Sequence, residues 1–399
     1  MTETTRILAS TSGARAIARE LNRRNFFALA AVGAVGALAG CSGGGGSSSA
    51  SSATSASPAA GGGALEDALS IYTWGEYDSP DVIKAFTTDK GPKITLDSYS
   101  SNEEMISKLV AAKGTGGYDI VVPTGTYLPQ MVENGLLQKI NRDLLPNLQY
   151  MDKQFLGQAW DPTNEYSICK AWGTSGFVYD TTVVKRELKT WADFLDCAQK
   201  EASGKTSLLD DPSEVASPYF WANGIDWTTT DAAHLDAAEA FMVDKLAPHI
   251  AAFDSYPGGG AIPQGTHVLM HAWNGDARIG LAESKTPERW KWVLGAPTTE
   301  LWMDNWTIVA GAPHPEAAHA WINYTMDPAN QLKQLDYIGY HTGAAGIQDA
   351  ATKAGLKRLD MVFFTPEQLA TMKNGALNEG QQRRVDIWNK VKAKAASGG

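Results

Sequence analysis

At 399 residues, with 43% hydrophobic and 20% charged side chains, the chain has the composition of a soluble globular protein and the length of about two or three domains. Its formal net charge of -10 argues against a nucleic-acid partner, whose phosphates need a basic face. Residues 1–40 carry five basic and two acidic residues, so the remainder holds 29 Lys and Arg against 42 Asp and Glu, a balance of -13. That balance suits a cationic partner, although plain solubility accounts for it equally well.

Residues 1–40 read as an export signal. Arg23-Arg24-Asn25-Phe26-Phe27 is a twin-arginine pattern, and the apolar run from Phe26 to Gly40 is too short to span a bilayer core of roughly 30 Å. The run ends in Leu38-Ala39-Gly40-Cys41, which resembles the lipobox of bacterial lipoproteins, in which the cysteine is acylated and becomes the mature N-terminus. Residues 41–65 then form a Gly/Ser/Ala linker that cannot bury apolar surface and serves as a leash. The expected location is outside the cytoplasm, in the periplasm or on the outer face of the cell membrane, with a lipid anchor on Cys41. In such an oxidising compartment Cys169 and Cys197 are either a disulfide or two buried thiols, and their separation does not follow from sequence. The seven histidines show no ligand spacing, so no metal is expected.

From residue 69 onward short apolar runs alternate with amphipathic stretches, the pattern of mostly parallel sheets flanked by helices. Strands are predicted over 69–74, 93–98 and 118–122, with helices over 80–88, 101–113 and 127–134. Ser79-Pro80 supplies an N-cap and first-turn proline, and Ser101-Asn102-Glu103-Glu104 a capping box. Residues 166–179 form a long extended segment that could carry the chain between two lobes. Beyond it the pattern gives helices over 191–200, 212–221 and 231–246, strands over 207–210, 249–253 and 267–273, and a helix from 276. A second extended run over 302–310 is another crossing, followed by helices over 315–324, 328–337 and 381–395. The division that results is 66–170 with 301–345 in a first lobe, and 171–300 with 346–399 in a second. No internal repeat is visible.

In sheets of this type ligand groups sit on loops at the carboxyl ends of strands. The first strand ends Tyr72-Thr73-Trp74-Gly75-Glu76-Tyr77, two aromatics and an acid beyond the core positions. At Asp211-Pro212-Ser213-Glu214 an acidic pair opens a helix, and a capping box with Asp211 as N-cap explains it as well as a ligand does. Trp273-Asn274-Gly275-Asp276 again joins an indole to an acid, which would also complement a helix dipole. Leu301-Trp302-Met303-Asp304-Asn305-Trp306 flanks one carboxylate with two indoles, an arrangement that attracts an organic cation through both charge and ring quadrupole. No Ser-His-Asp arrangement, phosphate loop or zinc spacing accompanies these clusters. Gly173-Thr174-Ser175-Gly176 lacks the spacing of a nucleophile elbow.

Taken in order, residues 72–77, 101–109, 118–131, 211–215, 273–276, 302–304 and 338–340 resemble the spermidine/putrescine-binding proteins of bacterial ABC importers, over essentially residue 69 to the C-terminus. The resemblance implies a periplasmic-binding-protein type II fold, two α/β lobes closing on a polyamine. It assigns Trp74, Tyr77, Trp273, Trp302 and Tyr340 to an aromatic box, Asp211 and Glu214 to the acidic pair that grips one amine, and Asp304 to the acid that holds another. Asp276 matches an acid of putrescine-preferring members, Glu76 sits where first-strand acids occur, and Thr124 replaces a serine conservatively. It also turns the reading of Asp211 and Glu214 from capping toward ligand contact, and leaves Trp306 to packing. Thr126 stands where spermidine binders have a tyrosine and Asn378 only approximates a late glutamine, so the choice of polyamine stays open. The implied partners are a polyamine and the membrane permease, with a monomeric chain, no cofactor and no catalysis. A binder of another cationic metabolite, such as an opine or a quaternary amine, and a tethered polyamine sensor are the alternatives.

Overall fold

A computed structural model describes residues 63–397. The export signal, Cys41 and the linker through residue 62 lie outside the described residues.

Among the described residues the eleven strands are β1 (Ala68–Trp74), β2 (Lys93–Tyr99), β3 (Ile120–Val121), β4 (Leu137–Gln138), β5 (Ile168–Asp180), β6 (Thr206–Leu209), β7 (Ile250–Asp254), β8 (Leu269–Trp273), β9 (Trp290–Val293), β10 (Thr299–Val309) and β11 (Met372–Asn374). They pair in the order β2-β1-β3-β10-β5-β8-β6-β7, with β4 and β11 on β10 and β9 on β5. Strands β1, β2 and β3 are mutually parallel, as are β8, β6 and β7. These two parallel groups are joined by β10 and β5, which run antiparallel to each other and to their neighbours β3 and β8. The chain therefore has an α/β fold in two sheet halves.

Each half is built as its sequence dictates. In the first, Pro80–Lys90 starts on Ser79 with Pro80 in its first turn and buries Val82 and Phe86. Asn102–Ala112 starts on Ser101, whose side chain accepts from the Glu104 N–H, and buries Met105, Ile106 and Leu109. With Leu69, Ile71, Ile120 and Trp321 these helices fill the cores around β1 and β3. In the second half Phe177, Trp191, Phe194, Trp221 and Leu269 form a separate core, closed by Ile387 and Val391 of the helix Gln381–Ser397. β5 is buried along all thirteen residues, as a strand with protein on both faces must be.

Several expectations are corrected here. The helix predicted over 212–221 is two, Pro212–Val215 and Ser217–Ala222, because Pro218 has no N–H for the bond that would continue the first. The stretch 231–246 is α-helical only over Ala232–Phe241 and passes through a π turn at Met242–Leu246. The helix expected from 276 begins at Asn274, directly off β8, so Asp276 lies in its first turn. Strands β9 and β11 and the helix Ile347–Lys353 are additions. Cys169 packs in the first core and Cys197 in the second, and both are buried free thiols, not a disulfide. Among the described residues no helix is long and apolar enough to cross a membrane.

Candidate ligand-binding site

The loops leaving β1, β3, β6 and β8 and one face of β10 surround a cavity of about 280 Å³. Its wall includes Trp74, Glu76, Tyr77, Thr124, Asp211 and Glu214, together with Trp273, Asp276, Trp302, Asp304 and Tyr340, so all eleven ligand positions expected from sequence meet in one place.

Asp304 lies in the middle of β10 and is 6% exposed. Two hydroxyls donate to it, Tyr77 Oη–H to Oδ2 at 3.0 Å and Thr124 Oγ1–H to Oδ1 at 2.7 Å. Burial raises its pKa to about 6, against the pull of those two donors and of nearby Lys170. Asn102 steadies Thr124 from behind, donating to its hydroxyl and accepting from its N–H. Trp74 is fixed by its indole N–H on the Val122 carbonyl at 3.1 Å and by an edge contact with Tyr99. Glu76 adopts a left-handed backbone, φ 52°, and accepts from Tyr337 Oη–H at 2.6 Å. A glutamate rarely takes that conformation, and here it turns the carboxylate back over the cavity rim.

On the opposite side Asp211 caps its short helix, accepting from the Ser213 N–H at 2.7 Å. Glu214 does not complete the expected capping box. Its Oε1 instead accepts from the Ser175 hydroxyl and, at 2.9 Å, from the Trp273 indole. Its Oε2 is 3.3 Å from His271 Nε2, close enough for attraction but out of line for a hydrogen bond. Burial works to raise Glu214, yet His271 and the Ser175 donor hold it below the usual glutamate range. Glu300 beside it goes the other way, raised well above that range by burial and then by the charge of Glu214. The opposite shifts of this pair mean that a proton on Glu300 favours the charge on Glu214, adding to His271 and Ser175. Asp211 is also raised well above its ordinary value, by burial and by Glu103 and Glu214.

Another carboxyl group, Asp276, receives the Tyr340 hydroxyl, and burial lifts it to about 7. Tyr340 reaches this position because two glycines make room: a side chain at Gly275 would collide with its ring, and Gly339, at φ 82°, brings the preceding backbone against Gly275. The same ring packs edge-on to Trp302 at 4.9 Å and to Tyr77 at 6.1 Å. Gly173 of β5 likewise leaves space for the Trp302 indole, which a Cβ would approach at 2.5 Å. Trp306, by contrast, is buried against Trp321 and lies outside the cavity wall.

Glu300, Tyr256 and Tyr337 also line the cavity and were not expected. The signal for Glu300 was present, since 300, 302 and 304 are alternate positions of one strand and share a face. With Glu300 the wall carries six acids and no lysine or arginine. Among the described residues no group of three or more His, Cys, Asp or Glu is arranged to hold a metal ion.

Two sheet halves joined by crossing strands, with a ligand-sized acidic and aromatic cavity drawn from both, define a solute-binding protein of the periplasmic type II fold. The profile of the family described as bacterial extracellular solute-binding protein matches residues 81–358, and the chain belongs to that family. It is 32% identical over 291 residues to a spermidine/putrescine-binding periplasmic protein of Haemophilus influenzae, covering 73% of this chain and 79% of the relative. A putrescine/agmatine-binding protein of Pseudomonas aeruginosa is 27% identical over 82% of this chain and 93% of its own. Among solved structures, a lipoprotein of Treponema pallidum superimposes with a TM-score of 0.69 at 27% identity, covering 82% of this chain and 99% of that one.

Proposed function

We propose that the chain is the substrate-binding component of an ABC importer and that its ligand is a protonated polyamine, putrescine or spermidine, delivered to a membrane permease. The observation that carries this reading is the cavity wall, with six acids, three indoles and no basic side chain. Alkylamines titrate near the lysine value of about 10.4, so such a ligand arrives as a polycation. Each ammonium needs a carboxylate, because an unpaired buried charge costs several kcal/mol. The methylenes between them need apolar walls, and Trp74, Trp273 and Trp302 offer faces that also attract the charge, by about 0.5–2 kcal/mol each.

In this reading the first lobe comprises 66–170 and 301–345 and the second 171–300 and 346–399. Asp304 of the first and Asp211 with Glu214 of the second then hold opposite ends of the ligand, and contacts to both stabilise a closed form for the permease to recognise. Ligand length is measured by whether both ends are paired. The chain works as a monomer without cofactor and catalyses no reaction. Export through the twin-arginine signal and acylation of Cys41 would keep it at the membrane, and a Cys41→Ala chain released into the medium is the expected result of losing the anchor. Titration calorimetry with the chain lacking residues 1–62 tests the ligand directly. Heat with putrescine or spermidine at micromolar protein is expected, and its absence with both sinks the polyamine reading.

A further inference from the structure

Behind the cavity wall lies a second cation cage, and the chain itself fills it. Lys170 is 4% exposed, and its Nζ donates to the Tyr77 carbonyl at 2.6 Å and to Asp78 Oδ1 at 2.9 Å. The same ammonium lies 4.4 Å from the centres of the Tyr77 and Trp306 rings. Asp78 is wholly buried, held otherwise by a 3.3 Å bond from Gln334, and its Oδ2 has no hydrogen-bond partner. A buried ion pair of this kind is an expensive way to fill a core, since apolar residues of similar volume are often as stabilising or more so. Its presence calls for a role other than stability.

The backbone is also adjusted at this residue. β10 pairs Asp304 with Ala171 and Asn305 with Cys169, so β5 spends one extra residue, Lys170, directly beside Asp304. A bulge of this sort re-aims the side chain at the irregularity. Tyr77 is consequently clamped from both sides: Lys170 holds its carbonyl and one ring face, and its hydroxyl is given to Asp304.

We propose that Lys170 is a positioning residue of the ligand site, an ammonium supplied by the chain that locks Tyr77 onto Asp304 and keeps a positive charge behind that carboxylate. This rests on the cavity being a cation site, but its consequence for Asp304 can be read without any ligand. The groups whose charges bear on Asp304 are Tyr77, Tyr99 of β2, Cys169 and Lys170 of β5, Glu300 of β10, and Tyr340. Lys170 is the one cation among them, and it acts to keep Asp304 ionised.

The test compares two variants of the same residue. Lys170→Met removes the cation; Lys170→Arg keeps a positive charge against Asp78 and Tyr77. Carboxyl NMR titration of Asp304, assigned with Asp304→Asn, should show its midpoint rising by about one pH unit in Lys170→Met and staying within a few tenths of a unit in Lys170→Arg. Putrescine or spermidine affinity, measured at pH 7 on the same proteins, should fall about tenfold or more in the first and little in the second. If Lys170→Met does not fold, the double variant Asp78→Asn/Lys170→Met, which leaves no orphaned carboxylate, is expected to show the same rise. Equal midpoints in the two single variants, or no rise in the double, would make the pair a structural element only and overturn the proposal. Absence of amine binding by the unmodified chain would remove the ligand reading and leave the titration result standing on its own.

Discussion

Asp304 and Glu214 are both buried carboxyl groups in one cavity, and they keep their charge by different means. Asp304 shares a face of β10 with Glu300 but is held by two hydroxyl donors and an internal ammonium that offset burial. Glu214 sits among Asp211 and Glu300, and His271 and Ser175 favour its charge while Glu300 is pushed toward its protonated form. The first acid depends on its donors; the second depends also on a neighbour that gives way. Asp304 therefore has no close substitute for a lost charge, whereas Glu214 has acids beside it.

That difference ranks the expected losses. Asp304→Asn should weaken polyamine binding by about 2–5 kcal/mol, as when one member of a desolvated charge pair is removed, and titration calorimetry measures it. Glu214→Gln should cost less, about 1–3 kcal/mol, because losing the Glu214 charge eases ionisation of Glu300 beside it, although burial still opposes that. Equal losses would break the comparison. On the wall between them, Gly275→Ala drives a methyl group into the Tyr340 ring and should lower stability by about 1–3 kcal/mol in denaturant titration.

The pH dependence sharpens the same contrast. In the empty cavity burial holds Asp276 near 7 and Asp304 near 6, and a cationic ligand binds their ionised forms. Affinity should thus be full above about pH 8 and decline as pH falls through 7 and then 6, by up to about tenfold per pH unit for each proton taken up. Calorimetry in buffers of different ionisation enthalpy should register proton release on binding near pH 6.5, and Asp304→Asn should abolish the lower step. The smallest expected effect is none at all: with Cys169 and Cys197 free and in separate cores, added reductant should leave the melting temperature unchanged.

How much of this was legible from residues alone follows from the physics of each feature. Helix starts at Ser79 and Ser101 are local chemistry, and the strand-end acids follow from where α/β sheets place their loops, so both were readable. Glu300 was readable too, since strand alternation puts it on one face with Trp302 and Asp304. The bulge at Lys170 was not, since register is a property of pairing between strands 130 residues apart. Nor was the proximity of Gly275 to Tyr340, which arises only when the helix after β8 meets the turn at Gly339. The fate of the two cysteines turned on which core each joined, a question of distance that spacing along the chain does not answer.

Three of the thirteen tryptophans, Trp74, Trp273 and Trp302, stand in the cavity wall. An indole's emission responds to charge brought close to its ring, and a guest gripped between these faces would displace the surrounding solvent as well. The chain accordingly carries its own optical gauge of occupancy, and replacing the three indoles one at a time would show which end of the guest each of them sees.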